Sequence, residues 1–203
     1  MSPRKSPILI VIVAPSGAGK TTLCELLIER SPKLVYSVSC TTRKRRGREK
    51  EGADYFFVSV DDFQHRVEDG AFLEHAIVHG HYYGTLKETV NTSLDDGRDV
   101  LMDLDVQGAA QIRRAVTAED QPLRGKLVDI FIEPPSMAIL ERRLRERGED
   151  SDGTISERLQ NARCEMMHKE HFSHIIINDD LETAYRQLNT YIAAARASAS
   201  SPA

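Results

Sequence analysis

The chain has 203 residues, a formal net charge of −4 and 29% charged residues. This length allows one α/β domain with insertions, and the negative charge gives no general attraction to nucleic acid or to a membrane surface. The three cysteines form no Cys-x-x-Cys pair, which is typical of reduced thiols in a reducing compartment. We therefore expect a cytoplasmic globular protein with neither nucleic acid nor membrane as a partner.

The first predicted element is an apolar strand at residues 8–13, which is too short to span a membrane. It leads into the turn Ala14-Pro15-Ser16-Gly17-Ala18-Gly19-Lys20-Thr21, and a helix-type leucine spacing follows. Glycines let backbone N–H groups converge on phosphate oxygens, and a helix N-terminus adds positive potential. Lys20 is predicted to reach the β- and γ-phosphates of ATP, and the Thr21 hydroxyl to hold Mg²⁺. The turn therefore indicates a phosphate-binding loop (P-loop), with Ala14 in place of its usual first glycine.

Three further apolar runs are predicted strands, and helical patterns separate them. They lie at residues 99–103, 127–132 and 174–178. Short strands that alternate with helices are typical of a parallel sheet covered on both faces. The predicted fold class is α/β, a parallel sheet of the P-loop NTPase type flanked by helices, with a small mainly β insertion and a helical lid.

Helix start signals define the second half of the chain. Ser136 is a predicted N-cap, and Thr154 with Glu157 is a predicted capping box for a helix that continues through Met167. The polar stretch 148–154 is interpreted as a lid tip, and 181–196 as the last helix. The predicted division is 1–36 core, 37–90 insertion, 91–133 core, 134–163 lid, and 164–203 core with the C-terminal helix.

The insertion holds the densest group of polar candidates after the P-loop, and the alternating segments 36–40 and 54–58 are its predicted strands. Arginines at 43–48 and tyrosines at 55, 82 and 83 can bind a phosphate monoester through guanidinium forks and hydroxyls. A carboxylate such as Glu74 accepts two neighbouring N–H groups, which guanine offers at N1 and N2 and adenine does not. The arginine run alone also fits a nucleic-acid patch or a solvated loop; the negative net charge favours the phosphate pocket.

Together these motifs resemble the guanylate kinase family, particularly its bacterial members, and the similarity covers about residues 8–192. It rests on the segments 14–21, 39–46, 54–55, 82–85, 103–108, 134–136, 142–144 and 177–180. One loop departs from the family pattern Thr-Thr-Arg-x-Pro-Arg-x-Gly-Glu. Arg45 stands at the proline position, and the glycine comes one residue earlier, at Gly47.

The resemblance implies a reversible transfer of the γ-phosphoryl group from ATP to GMP or dGMP, with Mg²⁺ and without a general base. The implied ATP-binding residues are Ala14, Pro15, Ser16, Gly17, Ala18, Gly19, Lys20, Thr21, Thr22, Asn178 and Asp179. The implied GMP-binding residues are Ser39, Arg43, Arg46, Tyr55, Glu74, Tyr83, Gly84, Thr85, Asp103 and Asp105. The implied catalytic residues are Lys20, Arg43, Arg143, Arg147 and Arg158, and Thr21 and Asp103 would hold the metal, directly or through water.

Other functions stay open at this point. A kinase for another monophosphate would share the P-loop, although Glu74 and Asp105 argue for guanine. A scaffold module of the guanylate-kinase-like type would bind phosphopeptides without catalysis, but such modules typically lack a working P-loop. A GTPase switch is disfavoured because its Asn-Lys-x-Asp motif is absent from the sequence. A homo-oligomer is compatible with the sequence, which does not determine the oligomeric state.

Overall fold

The structure, a computed structural model, describes residues 6–78, 80–117, 123, 125–148 and 150–199. Its strands are β1 (Leu9–Val13), β2 (Leu34–Tyr36), β3 (Cys40–Thr41), β4 (Phe56–Phe57), β5 (Phe72–Val78), β6 (His81–Leu86), β7 (Asp99–Leu104), β8 (Leu127–Glu133) and β9 (His174–Ile177). Its α-helices are α1 (Lys20–Glu29), α2 (Val60–Glu68), α3 (Lys87–Asp95), α4 (Val106–Thr117), α5 (Met137–Glu146), α6 (Asp152–Met166) and α7 (Leu181–Ala199). Among the described residues, no helix has both the length and the apolar character needed to cross a membrane.

A parallel sheet in the order β2-β7-β1-β8-β9 forms the centre of the fold. Its middle strand, β1, is buried at every position. Because side chains alternate along a strand, Ile10 and Ile12 join the core cluster under α1 and α7, whereas Leu9, Val11 and Val13 join the cluster under α3 and α4. The predicted α/β class, with a parallel sheet covered on both faces, is confirmed.

A second sheet, in the order β4-β3-β6-β5, forms most of the insertion. The rings of Phe63 and Phe72 stack 4.4 Å apart beneath it. The prediction of one insertion strand over 36–40 is wrong. Tyr36 ends β2 of the central sheet, since Leu34–Tyr36 pairs in parallel with Asp99, Val100 and Leu101, and only Cys40–Thr41 pairs within the insertion.

Helices α5 and α6 form the predicted lid region and pack on each other through Leu140, Leu144, Ile155 and Ala162. The Ser136 cap is confirmed, because its hydroxyl accepts a hydrogen bond from the Ile139 N–H at 3.2 Å.

The capping box at Thr154 is wrong, because α6 already begins at Asp152. Its N-cap is Ser151, whose hydroxyl accepts from the Thr154 N–H at 3.3 Å, so Thr154 lies inside the first turn. Residue 149 of the predicted lid tip lies outside the described residues, as do 1–5, 200–203 and parts of 118–124 of the predicted core. The division into core, insertion and lid stays a prediction.

Helix α4 joins the central sheet to the insertion through one glutamine. The Gln111 amide donates to the backbone carbonyl of His75 at 2.7 Å and accepts from the His75 N–H at 3.1 Å. His75 belongs to β5, the edge strand of the second sheet, so Gln111 pairs with that strand much as a neighbouring strand would. Helix α4 is thereby held against the strand that carries Glu74.

Candidate active site

The P-loop connects β1 to α1 and has the backbone shape that its glycines predict. The Ala18 N–H donates to the Pro15 carbonyl at 3.0 Å, which closes a tight turn. Gly17 and Gly19 have φ angles of +92° and +91°, in the left-handed region that side chains disfavour. A Cβ on Gly17 would also come within 3.0 Å of Leu140 and Leu144, so α5 lies directly on the loop.

A cavity of about 330 Å³ lies beside the P-loop at the carboxyl ends of β1 and β7. Besides the P-loop itself, its walls include Thr21 and Thr22 of α1 and the carboxylates of Asp103 and Asp105. Parallel pairing explains this convergence, because Ile12 is opposite Asp103 and Val13 is opposite Leu104. The candidate site therefore lies where ligands usually bind in open α/β sheets.

Lys20 points into this cavity and forms an ion pair with Asp103. Its ammonium nitrogen is also 3.4 Å from the carbonyl oxygen of Leu104. The two charged side chains are about one fifth exposed, at 21% and 22%, so water still reaches both. A cation is thus held at the position where the phosphates of a nucleotide would enter the loop.

Helices α5 and α6, together with the residue that follows α5, bring the predicted arginines to the same place. Arg147 lines the cavity, and the Arg143 guanidinium donates to the backbone carbonyl of Asn178 at 3.0 Å. Arg158 reaches the Ser16 hydroxyl at 3.4 Å and forms a 3.1 Å ion pair with Asp150. All three arginines therefore lie beside the P-loop, on the side that α5 and α6 cover.

The predicted adenine contacts differ in their surroundings. The side chain of Asn178 is buried and donates to the Ala18 carbonyl at 2.8 Å, whereas Asp179 is exposed. Asn178 thus lies against the P-loop backbone itself.

Thr21 and Asp103 offer a hydroxyl and a carboxylate to the same cavity. Within the described ranges, no group of three or more His, Cys, Asp or Glu side chains is arranged to hold a metal ion. Mg²⁺ in nucleotide sites is bound by one or two protein oxygens together with phosphates and water. The donor set therefore fits Mg²⁺ that arrives with a nucleotide.

A second pocket is built around Glu74, whose side chain is buried on β5. Its cross-strand partner Thr85 donates a hydrogen bond to the carboxylate at 2.7 Å, and the Ser39 hydroxyl is 3.2 Å from that of Thr85. Asp105 accepts from the Gly108 N–H at 2.7 Å. A Cβ on Gly108 would lie 2.9 Å from the Glu74 carboxylate and 3.3 Å from that of Asp105, so both acidic groups line one small space.

The pKa of Glu74 is raised to about 7, chiefly by burial; hydrogen bonds from Thr85 lower it, and the negative charge of Asp105 raises it. Burial disfavours the charged carboxylate because the protein solvates it less well than water does. Glu74 therefore exchanges its proton near neutral pH.

Arg43 is buried and is held chiefly by Glu49. Both Glu49 oxygens accept from its guanidinium, at 3.0 and 2.7 Å, while its Nε donates to the Tyr83 hydroxyl at 3.2 Å. The Lys44 carbonyl accepts a further hydrogen bond at 2.8 Å. A guanidinium has five N–H groups, and these bonds use all but one hydrogen on Nη2. The Arg43 bonds hold the pKa of Glu49 at about 2.

The loop that departs from the family pattern is closed by the same carboxylate. The Arg46 N–H donates to Glu49 at 2.7 Å, and the Arg45 guanidinium donates to the Glu49 carbonyl. Gly47 has a φ of +47°, so the turn places its left-handed residue at the shifted glycine. Arg45 therefore contributes a side-chain contact where the family pattern has proline.

The remaining predicted phosphate ligands differ in their contact with Arg43 and in their exposure. The Tyr55 ring lies 5.3 Å from its guanidinium and packs edge-on against Tyr83 at 5.9 Å. The side chain of Arg46 is exposed. Gly84 is buried, and a Cβ there would come within 2.9 Å of Phe72, so it is required for packing beneath β6.

A family model described as guanylate kinase matches residues 6–195. The chain belongs to the guanylate kinase family. It is 49% identical over 189 residues to the guanylate kinase of Nitratidesulfovibrio vulgaris, which covers 93% of this chain and 87% of that protein. It is 45% identical over 193 residues to the guanylate kinase of Maricaulis maris, which covers 95% of this chain and 85% of that protein.

A solved structure agrees with this result. The crystal structure of guanylate kinase from Anaplasma phagocytophilum matches with a TM-score of 0.71 and 31% identity, over 95% of this chain and 87% of that one. The resemblance predicted from the motifs is therefore confirmed, and with it the expectation of a nucleoside monophosphate kinase.

Glu165 is a site residue that was not predicted from the sequence. Glu165 lines the P-loop cavity and also a second cavity of about 400 Å³ between Ser16 and α6. Burial raises its pKa, Lys20 lowers it, and Asp105 raises it. A sequence pattern could have identified this residue, because polar side chains recur at helical spacing along one face of α6, at Thr154, Arg158, Asn161 and Glu165.

Proposed function

We propose that this chain transfers the γ-phosphoryl group of ATP to GMP, with the P-loop cavity as donor site and the Glu74 pocket as acceptor site. The observation that carries the proposal lies at the end of β7. Asp103 pairs with Lys20 in the first site, and Asp105, two residues later, lies beside Glu74 in the second. Two nucleotides bound in this way would meet across the end of one strand.

The acceptor needs no general base in this proposal. A phosphate monoester has a second pKa near ~6 and is mostly a dianion at neutral pH, so its oxygen is already a nucleophile. The obstacle is the repulsion between two anions. Lys20 and the lid arginines would offset that repulsion and stabilise the charge that spreads over the transferring group.

Thr21 and Asp103 are the residues that would hold Mg²⁺, directly or through water, because both line the cavity with oxygen donors. When bound, the ion neutralises charge on the β- and γ-phosphates. ATP as donor and this metal site belong to the same proposal.

Arg43, Arg46, Tyr55 and Tyr83 are proposed to bind the GMP phosphate, and Ser39, Glu74, Thr85 and Asp105 the guanine. Arg43 keeps one N–H for this purpose, since Glu49, Lys44 and Tyr83 occupy the others. Arg46 is exposed, and its side chain could turn inward to bind the phosphate through its guanidinium N–H groups. We also propose that the chain accepts dGMP, that the phosphoryl transfer is reversible and that the protein is cytoplasmic.

The test is ADP release with GMP, dGMP, AMP, CMP and UMP as separate acceptors, each in Mg²⁺ and in EDTA. We expect Mg²⁺-dependent turnover with GMP, weaker turnover with dGMP, and near-background rates with the others. Turnover with a different acceptor would contradict the guanine pocket. A folded protein that binds GMP without turnover would support a binding module instead.

The raised pKa of Glu74 predicts that GMP binding depends on pH. Guanine N–H groups require the carboxylate, so binding must release the Glu74 proton, and affinity falls as pH falls through about 7. The expected loss approaches about tenfold per pH unit below that value. Calorimetric titration with GMP between about pH 6 and about pH 8 measures it.

A Glu74→Gln variant is the control for this pH series, because the phosphate of GMP titrates equally in both proteins. We expect its weaker GMP affinity to change less with pH than that of the wild type. Identical profiles for the two proteins would show that Glu74 is not the titrating group.

Substitution of Gly108 by alanine is expected to raise the KM for GMP about tenfold while leaving the KM for ATP unchanged. The new methyl group would displace the Glu74 carboxylate, only 2.9 Å from its position. Alanine is the better helix former by up to ~1 kcal/mol, which offsets part of the cost of crowding the carboxylate, so the fall in melting temperature should be small.

Gly153→Ala provides the matched control, because Gly153 also lies in a first helical turn and its Cβ would meet nothing closer than 3.8 Å. Steady-state kinetics and thermal melting of both variants separate the effects. A normal KM for GMP in Gly108→Ala would refute the crowding of the two carboxylates.

A further inference from the structure

Asn178 directly follows β9, and its side chain is buried against the P-loop. Its backbone N–H donates to the Glu133 carbonyl at 2.8 Å, which continues the pairing of β8 with β9 by one residue. Its side-chain Nδ2 donates to the Ala18 carbonyl at 2.8 Å. A Cβ built on Gly19 would lie 2.3 Å from that nitrogen, so the amide and the loop are in direct contact.

This contact sets the orientation of one peptide group. In a trans peptide the C=O and the following N–H point in opposite directions, and the described residues contain no cis peptide. Because the Ala18 carbonyl points toward Asn178, the Gly19 N–H points away from it. Gly19 lines the P-loop cavity, whereas Asn178 and Ala18 do not, so a Gly19 N–H that points away from Asn178 is free to face the cavity.

Asn178 also connects the loop to the lid. Its backbone carbonyl accepts a hydrogen bond from Arg143 of α5 at 3.0 Å. One residue therefore contacts the phosphate loop through its side chain and a lid arginine through its main chain. Substitutions of the side chain leave the second contact available, which allows the first to be tested alone.

We propose that Asn178 is a positioning residue that directs the Gly19 N–H toward the phosphates of the donor nucleotide. The inference rests on the proposed function for the identity of the donor. It gives the side-chain amide a role that differs from the adenine contact implied by the family resemblance. The inference is supported by the burial of the Asn178 amide and by its 2.8 Å hydrogen bond to the Ala18 carbonyl.

Inorganic tripolyphosphate, which has no base, is the probe that distinguishes these roles. In Asn178→Ala, the affinities for ATP and for tripolyphosphate should fall by the same factor, roughly tenfold, as expected for one lost hydrogen bond to a preorganised loop. Affinity for GMP should not change. Calorimetry with each ligand, in Mg²⁺, gives the three values.

Asn178→Leu tests the same point without leaving a cavity, since leucine has nearly the shape of asparagine and no donor. It should reproduce the parallel loss of ATP and tripolyphosphate affinity, measured at a temperature where both proteins are folded, because the unpaired Ala18 carbonyl also lowers the melting temperature. Asn189→Ala, more than two turns into helix α7, is the control for loss of an asparagine and should bind all three ligands normally.

Loss of ATP affinity with unchanged tripolyphosphate affinity would overturn the inference and restore the adenine contact. Normal binding of both ligands by both variants would overturn it as well. Failure of the proposed function gives a different result: the wild-type protein would bind tripolyphosphate, and lose it on substitution, yet show no turnover with GMP.

Discussion

Replacement of Lys20 by methionine is expected to lower kcat about 10³-fold while GMP affinity stays close to that of the wild type. Methionine keeps an unbranched side chain and removes the charge. The ammonium of Lys20 is the group that the structure holds at the mouth of the P-loop by its ion pair with Asp103. On nucleotide binding it would exchange this carboxylate for phosphate oxygens, where it acts on the transferring charge.

Stability should change little in the same variant, because the Asp103 side chain is 22% exposed and water replaces its lost partner. The measurements are single-turnover kinetics with ATP and GMP, GMP calorimetry and thermal melting. Lys33→Met, a substitution of an exposed lysine outside the site, is the matched control. A Lys20→Met enzyme that keeps more than about a tenth of the wild-type kcat would refute the role of Lys20.

Replacement of Glu74 by glutamine is expected to lower kcat/KM for GMP by about 10²- to 10³-fold. The two side chains have nearly the same shape, and the glutamine carbonyl can still accept the Thr85 hydrogen bond. The other half of the new amide is a donor, which would face the N–H donors of guanine. A buried pocket with two opposed donors loses much more than one hydrogen bond.

This loss should be confined to the acceptor. ATP binding is expected to stay normal, and the preference for GMP over AMP should fall along with kcat/KM. Glu68→Gln, at the exposed end of α2 in the same insertion, is the control. Equal losses for ATP and GMP would instead indicate a general disturbance of the fold.

The central sheet and the P-loop were predictable from local signals. The apolar runs at β1, β7, β8 and β9 have the composition of buried parallel strands, and a left-handed turn before Lys20 needs the glycines that the sequence shows. The start of α6 was not predictable in the same way. Ser151 and Thr154 both suit an N-cap, and the choice between them depends on which hydroxyl reaches a free N–H.

Contacts between distant segments were beyond the sequence patterns. Glu74 could be singled out only by its chemistry, since its burial depends on β6 and on the first turn of α4. Asn178 and Ala18 are 160 residues apart, and no periodicity links them. The family motif identified Asn178 as important, whereas its partner became visible only in three dimensions.

The bond between Gln111 and His75 has a consequence for how the guanine pocket can vary. Gln111 forms its hydrogen bonds with the main chain of His75, which every amino acid except proline presents in the same way. Position 75 can therefore change its side chain without undocking α4, while position 111 depends on a side-chain amide of one length. A change at position 75 would act through the packing of its ring near Phe63 and Phe72, whereas a change at position 111 would act on the attachment of α4 to the strand.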